Sequence, residues 1–287
     1  MAWKTLLLSQ SFGCTEGRDS PVAVIGIPLD YTNTYRPGSR FAPQKMREAA
    51  CNLELYSLWE DFPLEEIGFK DYGDILLPSG DVVKALERIE FVLQNLRQEH
   101  NGFIVLLGGE HLVTYPAVRA LKDEIDTLVV FDAHLDLRSE YLGSTLNHAT
   151  FLRKIAEDNI NILHIGSRAY SKEELEYANK ANIKLIKARE ASPHSIDLEE
   201  LERVYISLDM DVFDPSIAPG VSNPEPFGLS HFAVVSILKE VFSKSSKVVA
   251  FDLVELNPLV DYSDITSILA AKFIIEVGGL LLKKGRN

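Results

Sequence analysis

The stretch LVVFDAHLD, Leu128 to Asp136, passes abruptly from a continuous β-branched and aromatic run to acids and an imidazole set at alternate positions. An apolar run without polar alternation suits a strand buried on both faces, as in parallel sheets. The polar groups begin where that strand would end. The same grammar recurs in FIVLLGGEH (Phe103 to His111), VYISLDMD (Val204 to Asp211) and VVAFDLVELNP (Val248 to Pro258). In an open parallel sheet, ligands collect beyond the carboxyl ends of the strands, where the connecting loops part around a crevice. These four strand ends therefore predict one shared site built from His111, Asp132, His134, Asp136, Asp209, Asp211 and Glu255, with Gly108 and Gly109 permitting a sharp turn before His111.

Working outward, further apolar runs lie at Val22 to Ile27, Ile162 to Ile165, Lys184 to Ile186 and Lys247 to Phe251. Between such runs lie amphipathic stretches. The clearest places Val82, Leu86, Ile89, Leu93 and Leu96 on one helical stripe, with Lys84, Glu87, Arg88 and Arg97 elsewhere. This alternation predicts a doubly wound α/β sheet. Pro43 suits the first turn of a helix reaching about Cys51, and Ser171 to Glu174 reads as a capping box. Without a repeat, low-complexity tract or composition shift, the chain reads as a single domain over residues 1–287. The apolar stretch Thr266 to Leu282 carries Lys272 and Glu276, so it predicts a buried terminal helix and not a membrane span.

The formal charge of -13 argues against a nucleic-acid partner and is compatible with a cationic ligand. Cys14 and Cys51 are the only cysteines, which predicts no disulfide framework and a reducing, cytoplasmic setting. The opening MAWKTLLLSQ lacks a full apolar core with a small-residue cleavage site and makes a poor signal peptide.

Asp132, His134 and Asp136 are two residues apart, so an extended backbone presents all three to one side, and Asp209 and Asp211 repeat the device. A lone Asp pair after a strand is more often a helix cap or turn former. Two such pairs together with His111 and His134 point to metal. Four aspartates would leave two charges uncompensated beside one divalent ion but approach neutrality beside two, so a dinuclear site is expected. Imidazoles and carboxylates without thiolate suit Mn²⁺, although Zn²⁺, Co²⁺ and Fe²⁺ remain chemically compatible. Metal coordination lowers the pKa of water from about 16 to roughly 7, worth ~12 kcal/mol in favour of hydroxide. A nucleophile is then present at neutral pH.

At these residues the chain resembles the ureohydrolase family, whose members include agmatinase and arginase and release urea from guanidino compounds. The resemblance rests on GGEH (108 to 111), DAHLD (132 to 136), SLDMDVFDPSIAPGVSNPEPFGLS (207 to 230) and ELNP (255 to 258), in matching order and separation. It implies a three-layer α/β/α fold with a mostly parallel sheet, two Mn²⁺ per subunit, and a homo-oligomer, trimer or hexamer. It implies metal ligation by His111, Asp132, His134, Asp136, Asp209 and Asp211, with Asp132 and Asp211 spanning both ions. Asp136 would also hold a metal-bridging hydroxide and relay its proton, His148 would shuttle a proton toward the leaving amine, and Glu255 would pair with the guanidinium. Physical chemistry agrees, since a permanent planar cation calls for a facing carboxylate and a leaving amine for a donor titrating near neutrality. Read without the resemblance, His148 is an exposed loop histidine. Asp252 reads as a support for the ligands.

Arginases recognise an α-carboxylate and α-amine through the loop after this second motif and an Asp after a GLR-type motif. Here the loop reads LRSEYLGSTLNHATF and Ala169 stands at the second place. Segments Tyr35 to Pro43, Asp136 to Gly143 and Asn147 to Phe151 are similar to agmatinases instead. The expected reaction is agmatine to putrescine and urea, with Glu140 either attracting the distal ammonium or standing as a solvated loop charge, and Arg138 turned away or paired with Glu140. Arg138 keeps guanidinobutyrate as the rival substrate, with arginase activity or a non-catalytic homologue as further alternatives. A single-zinc amidohydrolase would not need His111, and a phosphoesterase would be repelled by Glu255. Asp214, Pro215, Pro219, Gly220, Pro224 and Pro226 read as a rigid loop, His164 as a satisfied core histidine, and His100, His194 and His231 carry no assigned role.

Overall fold

A computed structural model describes residues 3–15, 17, 19–65, 67–191 and 201–284. His194 lies outside the described residues. The strands are β1 (Leu7–Leu8), β2 (Val22–Gly26), β3 (Tyr56–Ser57), β4 (Phe62–Pro63), β5 (Lys70–Ile75), β6 (Phe103–Leu107), β7 (Thr127–Phe131), β8 (Asn161–Ser167), β9 (Lys184–Lys187), β10 (Leu201–Asp209) and β11 (Ser245–Val254). The helices are α1 (Ala42–Ala50), α2 (Val82–Glu99), α3 (Thr114–Leu121), α4 (Phe151–Glu157), α5 (Lys172–Lys180), α6 (His231–Lys244) and α7 (Ile265–Lys284).

Every apolar run read from the sequence is a strand. Nine strands form one sheet in the order β1-β5-β2-β6-β11-β10-β7-β8-β9, and only the β1–β5 pair is antiparallel. Side chains alternate across it: Val129 and Phe131 join a core with Met46 of α1, Ile237 of α6 and Ile274 of α7. Leu128 and Val130 join the opposite core with Leu93 of α2, Ala117 of α3 and Leu152 of α4. Two apolar faces, each covered by helices, make the three layers of an α/β/α fold.

The four strands that carry the polar strand ends, β6, β11, β10 and β7, are neighbours in the middle of the sheet. The chain leaves β6 toward β7 on one side and returns through β10 and β11 between them, which opens the crevice at the reversal of strand order. Local signals act as read. Asp81 caps α2 by accepting from the Lys84 N–H, and Ser171 with Glu174 closes a capping box on α5. Helix α7 is long and apolar enough to cross a membrane, and Phe273, Ile274 and Val277 bury it in the core beneath the sheet.

One reading is corrected. Cys14 and Cys51 are joined in a disulfide, their Cα atoms 5.2 Å apart. Folding brings the N-terminal strap against the end of α1, a proximity that counting cysteines cannot reveal, so cysteine usage no longer points to a reducing compartment. The chain bends at Gly109 as read, without left-handed backbone at either glycine, and close packing adds a second reason for Gly109: a Cβ there would stand 1.9 Å from the Leu29 carbonyl oxygen.

Candidate metal centre

Each acidic or imidazole group arrives from a strand end. Asp132 follows β7 directly, its N–H donating to the Ile165 carbonyl at 3.0 Å. The run through Asp136 is not simply extended. The His134 N–H donates to Asp132 Oδ1 at 2.6 Å, His134 bridges Ala169, and Asp136 sits in the left-handed region at φ 50°. Asp209 ends β10, and its Oδ1 accepts from the Asp211 N–H at 2.7 Å, which folds the second acid back beside the first. Glu255, just past β11, is also left-handed at φ 61°. Non-glycine residues in that region cost free energy and cluster where function over-determines the backbone.

These turns gather the side chains. His111 Nδ1 lies 3.1 Å from Asp132 Oδ2, 3.1 Å from Asp209 Oδ2 and 3.7 Å from Asp136 Oδ2. His134 Nδ1 lies 2.8 Å from Asp211 Oδ2 and 3.6 Å from Asp132 Oδ1. Two sets of donor atoms result, His111 with Asp132 and Asp136, and Asp132 with His134 and Asp211, each within 4.8 Å. Asp132 belongs to both. Asp211 Oδ1 accepts from the Ala133 N–H at 3.1 Å, leaving Oδ2 as the oxygen toward His134.

Electrostatics shows what the cluster lacks. Burial and the neighbouring Asp132 push Asp136 well above the carboxylate range, and burial with Asp211 does the same to Asp209. Burial alone would lower His111, yet Asp132 and Asp209 hold it well above its ordinary value. His134 follows the same logic with Asp211 and Asp132. Asp132, despite burial, is held low by the two imidazoles. His111, His134, Asp136 and Asp209 are thus shifted toward taking up protons, the response of an acidic cluster in need of positive charge. Buried His111 Nδ1 and Asp132 Oδ2 also have no hydrogen-bond partner. Oxygen and imidazole donors in two sets with one shared carboxylate fit a pair of divalent cations.

Supports surround the ligands. His111 Nε2 faces Ser207 Oγ at 2.9 Å, and Ser207 donates to Asp252 Oδ1 at 2.5 Å. Asp252 Oδ2 accepts from Tyr205 at 2.7 Å and Thr114 at 2.9 Å. His164 Nε2 pairs with the His134 carbonyl at 2.7 Å. Arg168 donates to the carbonyls of Asp211, Phe213, Glu225 and Pro226, among others, and so ties the segment after β10 to the following loop. Asp214 tightens that loop by accepting from the Ser216 and Gly228 N–H groups.

A cavity of about 320 Å³ opens over the cluster, lined by His134, Asp136, Asp209, Asp211, His148 and Glu255 together with Arg138, Tyr141, Ala169, Tyr170 and Glu174. Glu255 Oε1 accepts from the His111 N–H at 2.7 Å, while buried Oε2 has no partner. Burial and the nearby Glu110 bring Glu255 up to about 8. His148 is 8% exposed, against the exposed loop histidine read without the resemblance, and burial lowers it to about 4. Arg138 does not pair with Glu140, which is exposed. It lies 3.8 Å from Glu174 and over the Tyr141 ring at 5.1 Å.

Several residues here had no assigned role in the sequence. Glu110 stands inside GGEH, yet only burial marks it. Thr32 and Tyr141 lie in loops without periodicity. Ser207 carried one signal, a hydroxyl inside an apolar strand two residues before a ligand.

The profile of the Arginase family matches residues 20–279. The chain is 38% identical over 265 residues to an agmatinase of Bacillus anthracis, covering 90% of this chain and 91% of that protein. It is 37% identical over 283 residues to an N(1)-aminopropylagmatine ureohydrolase of Thermococcus kodakarensis, with 97% of each covered. The crystal structure of agmatine ureohydrolase from Thermoplasma volcanium superposes with a TM-score of 0.85 at 33% identity, covering 99% of this chain and 98% of that one.

Proposed function

Because the chain belongs to the arginase family, as an agmatinase-type ureohydrolase, we propose that it hydrolyses agmatine to putrescine and urea with two Mn²⁺ ions. His111, Asp132, His134, Asp136, Asp209 and Asp211 would hold the ions. When bound, the pair supplies Lewis acidity and a water ionised near neutral pH. The observation that carries the reading is one cavity walled by Asp136 of the first donor set, His134 and Asp211 of the second, and Glu255, whose buried Oε2 has no partner among the described residues.

The chain's own groups supply the rest. Glu255 is fixed through Oε1 by the His111 N–H, so Oε2 is free to face the N–H edge of a guanidinium. A buried carboxylate raised to about 8 gains much from a permanent cation beside it. Asp136 holds the proton released from the attacking water at its carboxylate. His148 has its Nδ1 against Thr32, which leaves Nε2 to carry a proton to the departing nitrogen. Burial keeps that ring neutral at pH 7, so it passes protons without adding a standing charge against a cationic substrate. Elsewhere in the lining, Glu174 offsets Arg138, and Ala169 presents a methyl group where arginine recognition would use a carboxylate.

Arg138 in the cavity wall favours a second reading, a guanidino acid whose terminal carboxylate meets that guanidinium. Urea release from agmatine, N(1)-aminopropylagmatine, arginine and 4-guanidinobutyrate by the Mn²⁺-loaded protein decides between them. Agmatine should give the highest kcat/KM. Preference for 4-guanidinobutyrate would transfer the assignment to the guanidino acid. We further propose a single-domain, cytoplasmic homo-oligomer, trimer or hexamer, whose product would enter polyamine biosynthesis; mass measurement in solution tests the assembly.

A further inference from the structure

His148 is placed by a residue that lies 116 positions away in the chain. The His148 N–H donates to Thr32 Oγ1 at 3.0 Å, and the same oxygen stands 3.2 Å from His148 Nδ1. One hydroxyl therefore fixes both the backbone and one ring nitrogen of the histidine. Thr32 is itself anchored, because its N–H donates to Glu110 Oε2 at 2.8 Å. Glu110 is fully buried, and its other oxygen, Oε1, has no hydrogen-bond partner. Burying a carboxylate whose hydrogen bonds go to Thr32 and the adjoining Asn33 backbone is an expensive way to pin an ordinary loop. The expense is intelligible when the pinned residue orients a catalytic group.

We propose that Thr32, anchored by Glu110, is the positioning residue of His148, holding Nδ1 so that Nε2 is presented to the cavity in one tautomer. This rests on the shuttle role assigned above. A ring nitrogen's partner sets which nitrogen carries the proton, and loss of such a partner leaves the ring to swing and to populate both tautomers. Thr32 touches no metal candidate, so its effect should fall on turnover and not on binding.

The test is a double-mutant cycle with a spectroscopic arm. With Mn²⁺ supplied, Thr32→Val should lower kcat about tenfold to a hundredfold at unchanged metal content and little change in KM. Thr32→Ser should restore it. In a His148→Asn background the same Thr32→Val change should cost less than about twofold, the range expected for uncoupled sites. Histidine ¹⁵N spectra of the Zn²⁺-loaded protein should show one His148 tautomer in the parent and a mixture in Thr32→Val. Equal losses in both backgrounds, or an unchanged tautomer, would overturn the proposal. If Thr32→Val does not fold, Thr32→Ala, which removes the hydroxyl without filling its space, takes its place in both arms. A parent enzyme that releases no urea from any guanidino compound would sink the functional reading instead, while the spectra would still judge the placement of the ring.

Discussion

Two groups of buried charge in this protein are solved in opposite ways. Between α1 and β5, Arg47 reaches Asp71 through Nε at 2.7 Å and Nη2 at 2.9 Å, and Asp74 through Nη1. Its guanidinium, burial notwithstanding, is held above its usual value by Asp71 and Asp74. Here opposite charges answer one another within the fold. Over β6, β11, β10 and β7 the acids outnumber the two imidazoles beside them, and Asp136 and Asp209 are left crowded by like charge. The first arrangement belongs to folding. The second suits a bound cation, since unbalanced buried charge gathered at strand ends marks a functional site more often than a fold.

That contrast can be broken in graded steps. Asp211→Ala should abolish urea release and bound metal together, as measured by assay and elemental analysis, while Arg47 keeps its partners. Normal metal content in that variant would remove Asp211 from the ligand set. Arg47→Met should act in reverse, destabilising the fold by about 3–5 kcal/mol in denaturant titration because two buried carboxylates lose their cation, with metal per folded molecule unchanged. Ser207→Ala cuts the link between Asp252 and His111 and should weaken metal affinity about 10–100-fold by calorimetry, with little change in the stability of the metal-free protein.

The smallest effect is on pH dependence. Glu110, raised to about 7, and Glu255, raised to about 8, both lie above their ordinary 4.5. A raised acid stabilises the fold fully below its unfolded value and loses that contribution as pH climbs through its folded value. The chelator-treated protein should therefore melt lower at pH 9 than at pH 6, on the order of 2 °C per kcal/mol lost. Saturating Mn²⁺ should flatten the difference. A melting curve indifferent to pH in the metal-free state would contradict the like-charge description of the site.

The buried strands were legible because continuous apolar runs admit few other readings, and the strand-end rule then placed His111, Asp132, Asp209 and Glu255 around one crevice. Strand β5 was not legible. Its sequence KDYGDI alternates charge, and its acids face Arg47, a partner that only α1 supplies. Thr32 escaped for a related reason: a hydroxyl in a loop gains meaning only from His148, far along the chain. The Cys14–Cys51 bond and the pairing of Arg138 with Glu174 are likewise facts of proximity, which composition and spacing do not encode.

Arg168 offers a last consequence. Its guanidinium donates to backbone carbonyls around Asp211, and among the described residues no carboxylate is a hydrogen-bond partner. Mobile ions weaken the attraction between exposed opposite charges, but a cation seated among fixed dipoles offers them no counter-charge to shield. The scaffold behind the site should thus tolerate brine-like conditions that loosen surface pairs such as Lys4 with Glu99.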